Sequence, residues 1–126
     1  MRMWMVDPKI MCRPHLLGEH KELHMFTSAI LNGRGIDGYV DHNLCEPLAI
    51  GSRHEELVQE MERRGYDHCS PLDFEAVNQA LKHYPLFTIA MLVNRDMALQ
   101  DLVDRCNECK RLSEQSLALI NEGGES

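Results

Sequence analysis

Apolar positions follow a helical period for most of the chain, with turn residues between the periodic stretches. Behind Arg13-Pro14, residues Leu16, Leu17, Leu23, Phe26, Ile30 and Leu31 recur at spacings of three and four, and proline suits a first helical turn. A first helix is predicted there, closed by the three glycines of "NGRGIDG", residues 32–38. Gly18, inside it, costs roughly 1 kcal/mol against alanine, which suggests a close approach of another backbone. "YVDHNLCEPLAIG" (39–51) reads as an ordered loop. A second helix is predicted over 53–64, with Ser52 as N-cap, Glu55 completing a capping box and Gly65 just past its end. A third lies within 70–85 and stops at Pro85. The apolar run "LFTIAMLV" (86–93) fits a buried strand or a buried helix, and periodicity does not choose between them. A last helix runs from about Arg95 to Asn121, and the tail from about 121, "NEGGES", is expected to fray. At the other end "RMWMV" (2–6) reads as a short extended segment, broken by Asp7 and Pro8.

These elements predict a mainly α protein: a single compact helical domain over residues 1–126 with a short extended N-terminal segment. The composition agrees, with 44% hydrophobic and 26% charged residues in a chain of 126, which has room for one core. No apolar run approaches a membrane span, and no secretory pattern opens the chain. Five cysteines, an odd number without a secretory leader, point to reduced thiols in an intracellular, cytoplasmic setting. The formal charge of −7 argues against non-specific attraction to phosphate backbones, although a local basic patch is compatible with it.

Several groupings have chemical potential. Cys106 and Cys109 form a lone Cys-x-x-Cys, half of a zinc site, but they also continue a seam with Leu99 and Leu102. Core packing is the favoured reading, because cysteine behaves as a small buried hydrophobe. His20 and His24 have metal-capable spacing without an evident third ligand. Arg63, Arg64 and His68 could bind phosphate, or the arginines could serve a helix C-terminus. His15, Glu19 and Glu22 share one side of the first helix, where a solvated charged face is the default.

The stretch from Arg2 through "HLLGEHKEL" resembles the N-terminal part of the phage pyrimidine-dimer DNA glycosylase family, also called endonuclease V. The match consists of Arg2, then His15, then Glu19-His20-Lys21-Glu22-Leu23. "RHEELVQEMERRGY" (53–66) is similar to that family's second helix, and the "MRMW" opening and late "RC-x-x-C" resemble cellular and viral relatives. The resemblance covers about the first 70 residues well.

What it implies is a glycosylase and abasic-site lyase acting on damaged or modified DNA, without metal or cofactor. The nucleophile would be the α-amine of Met1, since Arg2 is too bulky for efficient methionine removal. The assisting carboxylate would be Glu22. Arg2 and Lys21 would hold phosphates, with His15 and His24 also among the DNA contacts, His24 lying near Met25, where the family has an arginine. The chemistry is reasonable on general grounds. α-Amines titrate near ~7.7–8.0, so a useful fraction is neutral at pH 7, and amines form Schiff bases as a covalent strategy. A carboxylate stabilises a cationic sugar and moves protons. Two rival readings stand beside this one: a non-enzymatic interaction module that keeps the fold, and a small metalloprotein using His15, His20, His24 or the cysteines.

Overall fold

A computed structural model describes residues 1–67 and 70–124, with 120–124 described by backbone alone. The protein is mainly α, and no strand occurs among the described residues. The helices are α1 (Arg13–Leu31), α2 (Asp37–Asp41), α3 (Ile50–Arg63), α4 (Phe74–Leu81), α5 (Leu86–Ile89), α6 (Arg95–Arg105) and α7 (Asn107–Gly124). Helix α1 is the central element and packs on α3 and α4, while α6 and α7 pack on each other. A 3-10 turn at Pro8–Ile10 rests against α7 and α3. Among the described residues no helix is long and apolar enough to cross a membrane.

The N-terminal segment is extended but pairs with no strand. It threads through the core instead, burying Met3, Trp4 and Val6. Its amide at Met3 donates to the Leu44 carbonyl at 2.7 Å, and Met5 adopts φ +56°, a left-handed conformation that costs a side-chain-bearing residue energy. Leu16, Leu23, Phe26 and Ile30 form the buried stripe of α1, each contributing about 1.5–3 kcal/mol by leaving water. Arg53, on α3, is fully buried. It donates to both Glu19 oxygens at 2.6 and 2.9 Å and to the Val6 carbonyl at 2.7 Å, so α1, α3 and the N-terminal segment meet at one guanidinium.

Five local expectations are corrected. Helix α3 begins at Ile50, so Ser52 lies within it and donates back to the Ala49 carbonyl. Gly51, in its first turn, lies close against α4, where a Cβ would stand 2.7 Å from the Phe74 Cβ. Gly18, in contrast, meets no other backbone, since a Cβ there would have nothing within 4 Å. The run 86–93 is neither a buried strand nor a buried helix. Its first four residues form α5, and Leu86, Phe87 and Leu92 are exposed. The predicted last helix is two helices, broken at Cys106 (φ −129°, ψ 109°). Helix α7 continues to Gly124, past the expected start of fraying; residues 125 and 126 lie outside the described residues. Gly65, at φ +81°, does terminate α3 as expected.

Candidate active site

The buried Glu19–Arg53 pair and the Met3–Leu44 hydrogen bond hold the start of the chain against the first two turns of α1. A cleft of about 510 Å³ opens there, lined by Met1, Arg2, Trp4, His15, Glu22 and Arg105, with Gly18 and Glu19 among its other contacts. The contribution of α1 is a single stripe, Pro14, His15, Gly18, Glu19 and Glu22, at the spacing that puts residues on one helix face. The missing side chain of Gly18 therefore leaves space in the cleft.

The two glutamates in the cleft differ in their partners. Glu19 is committed on both oxygens to Arg53. Glu22 accepts from the backbone amide of Arg2 at 3.1 Å, and no cationic side chain pairs with it among the described residues. The Met1 α-nitrogen is three covalent bonds from that amide nitrogen, at most about 3.6 Å away. It therefore stands at most about 7 Å from the Glu22 carboxylate, just beyond the roughly 6 Å that a single bridging water spans.

The cleft also carries positive charge. The Arg2 guanidinium stacks 3.7 Å above the Trp4 ring and donates to Asp101 at 3.1 Å, and its Nε is buried without a partner among the described residues. Arg105, largely exposed, stands 6.0 Å over the same ring and also pairs with Asp101. Trp4 meets His15 edge-on at 5.8 Å. Trp4, Gly18 and Arg105 are absent from the site residues expected from the sequence. Trp4 and Arg105 stand there only as letters of the "MRMW" and "RC-x-x-C" motifs, and Gly18 only as a packing residue.

Of the predicted site residues, Met1, Arg2, His15 and Glu22 meet in the cleft. Lys21 is exposed on its flank, one turn from Gly18. His24 lies elsewhere: its ring packs at 5.0 Å from His20 and 5.1 Å from His54, and its Nε2 is buried without a partner among the described residues. Burial holds the His54 imidazole below its ordinary pKa, and His54 Nε2 lies 2.9 Å from the Ser70 carbonyl. The suggested phosphate patch is engaged internally. Arg63 and Arg64 both pair with Glu60, and Arg64 also donates to the Pro8 and Met11 carbonyls. Burial acts to raise the Glu60 carboxyl, but these guanidinium hydrogen bonds hold it below the usual range. His68 lies outside the described residues.

Among the described residues two groups could hold a metal ion: Cys12, His15, Cys106 and Cys109, and the histidines 20, 24 and 54, with the ligand atoms of each group within 4.8 Å of one another. Cys12 and Cys109 are buried and none of the four described cysteines is in a disulfide. Burial pushes the Cys109 thiol up to about 12. Burial also acts upward on Cys106, but hydrogen bonds from Cys109 and Cys12 draw it below its ordinary value.

A family model described as pyrimidine dimer DNA glycosylase matches residues 1–73. No curated protein and no solved structure matches the chain. The matched span contains the N-terminal segment and α1 to α3, hence Met1, Arg2 and Glu22, whereas Arg105, Cys106 and Cys109 lie beyond it. More than half of the sequence is covered, and the chain belongs to the pyrimidine dimer DNA glycosylase family.

Proposed function

We propose that this chain is a DNA glycosylase with abasic-site lyase activity, acting through an imine between the Met1 α-amine and the sugar of a damaged nucleotide. The observation that carries the reading is the Glu22 carboxylate held by the Arg2 amide, beside the start of the chain and within the cleft. The amine lone pair forms a bond to C1′ as the glycosidic bond breaks and the base leaves with its electron pair. Ring opening and loss of the amine proton give the imine. Removal of a C2′ proton then expels the 3′ phosphate by β-elimination, and water releases the amine.

Glu22 suits the carboxylate role better than Glu19, because it retains oxygen capacity that Arg53 removes from its neighbour. It stabilises positive charge on the sugar and carries protons during opening and elimination. Arg2 and Arg105, with Lys21 on the flank, supply the phosphate contacts that position the strand. Trp4 offers an aromatic wall to an exposed sugar or base, and the reacting nucleotide is turned out of its duplex stack to reach the amine. The family's named substrate makes a pyrimidine dimer the first lesion to assay.

The test is borohydride trapping. Untagged protein with abasic duplex DNA should give a stable adduct, and mass mapping should place it on residue 1. Acetylating the α-amine should abolish both adduct and strand cleavage. A blocked protein that cleaves as fast as the free one would reject Met1 as the nucleophile.

A further inference from the structure

We propose that Cys12, His15, Cys106 and Cys109 form a tetrahedral zinc site that fastens the start of α1 to the junction of α6 and α7. The four ligand atoms lie within 4.8 Å of one another. Cys12 Sγ is 3.1 Å from His15 Nδ1 and 3.7 Å from Cys106 Sγ, and Cys109 Sγ is 3.7 Å from His15 Nδ1. A tetrahedral ion with zinc–sulfur bonds of about 2.3 Å and zinc–nitrogen bonds of about 2.0–2.1 Å separates its ligands by about 3.8 Å for sulfur pairs and about 3.6 Å for sulfur–nitrogen pairs. These three separations lie within about half an ångström of those values, and the remaining ligand pairs lie within 4.8 Å.

The local sequence is that of two metal knuckles, Cys12-x-x-His15 and Cys106-x-x-Cys109. The second is visible as a lone motif, but its complement is a Cys-x-x-His opening a helix 94 residues earlier, which a search for paired Cys-x-x-Cys motifs misses. Each knuckle straddles a helix N-terminus: Cys12 is the N-cap of α1, and Cys106 immediately precedes α7. Helix N-termini favour thiolates. Backbone amides complete the arrangement, with the Cys12 N–H donating to Cys109 Sγ at 3.2 Å and the Cys109 N–H to Cys106 Sγ at 3.5 Å. Such outer hydrogen bonds orient ligands and offset thiolate charge. Lys9, Arg13, Arg63 and Arg64, against the single carboxylate of Glu108, line the groove in which Cys12 is found. Binding a divalent zinc displaces three thiol protons and leaves a complex of net charge −1, which those cations complement.

Neither alternative accounts for the geometry. A disulfide needs sulfurs about 2.05 Å apart, and the Cys12–Cys106 pair is at 3.7 Å. Packing of cysteines as small hydrophobes explains neither the convergence of an imidazole nitrogen with the thiols nor the break at Cys106 in an otherwise helical stretch. The ion would be closed to solvent chemistry, with four protein ligands and no open position, and thus structural. It would also brace the cleft, because His15 packs on Trp4 and Arg105 precedes Cys106. His15 then serves as a wall residue rather than a phosphate contact.

The experiment compares metal content and cobalt spectra. Wild-type protein from reducing, zinc-supplemented expression should carry one more equivalent of zinc than the Cys106→Ser/Cys109→Ser variant, whatever the histidines bind. Cobalt(II) added to the metal-free wild type should give the intense visible bands of a tetrahedral thiolate complex, bleached by added zinc. His15→Cys should retain the equivalent and shift the cobalt bands towards those of a four-sulfur site. If the double variant does not fold, the cobalt titration of wild type decides alone. Equal zinc in wild type and variant, a pale octahedral cobalt spectrum, or thiols oxidised to a disulfide in the reduced, zinc-replete preparation would each overturn the site.

Discussion

The Glu22 carboxylate accepts a hydrogen bond from the backbone amide of Arg2 at 3.1 Å, which ties the middle of α1 to the first peptide bond of the chain. The position of the α-amine is thereby set by a contact made through main chain, one that substitution of the Arg2 side chain does not delete. Glu22→Gln keeps the shape and an acceptor but removes the charge. Strand cleavage should fall by about 10²–10⁴-fold, the usual contribution of a positioned acid or base, while borohydride trapping survives in part. Cleavage unchanged in this variant would remove Glu22 from the chemistry.

Arg105 is the exposed cation of the cleft. Arg105→Ala should weaken DNA binding and make the plot of log affinity against log salt shallower by about one unit, the signature of one lost phosphate contact. His24→Gln should leave that slope unaltered, since its ring lies among other histidines and outside the cleft. Binding titrations at four or five salt concentrations measure both.

Glu19 and Arg53 form a buried ion pair, and breaking one side strands the other charge. Glu19→Gln and Arg53→Met should each lower stability by about 3–5 kcal/mol in urea unfolding. The apolar double variant Glu19→Leu/Arg53→Met should lose less than the sum of the singles, because no buried charge then lacks a partner.

Glu46 accepts from the Val93 amide at 2.9 Å and from Arg95 at 2.6 and 3.2 Å. Burial acts to raise its pKa, yet the Arg95 and Val93 hydrogen bonds hold it below the ordinary 4.5. Since the native value lies below the unfolded one, the ionised form stabilises the fold fully above about 4.5, and that stability drains as pH falls through the native value. Glu46→Gln should be less stable than wild type by about 1–3 kcal/mol at pH 7. The gap should close in acid; a gap constant down to pH 3 would contradict the ion pair.

The helices were legible because their determinants are local. Pro14, Gly65 and the periodic leucines mark α1 and the end of α3 without reference to anything distant. Glu22 and Arg2 were legible through the family pattern, which lies in the same span as the family match. What escaped depends on contacts across the sequence. The break at Cys106 is a single residue leaving helical geometry in a stretch of good helix formers, and its neighbours Cys12 and His15 lie about 90 residues away. The apolar run 86–93 misled for the opposite reason, since hydrophobicity there does not translate into burial.

The cleft draws its walls from residues 1–44 and from Arg105, and this has a consequence for the order of synthesis. A ribosome adding about 5–20 residues per second finishes the first wall several seconds before the second emerges. Throughout that interval the nascent amine lacks the Arg105 side of its cleft and is open to the enzymes that deformylate, trim or acetylate new chains. Folding then sets that second wall beside whatever end they have left.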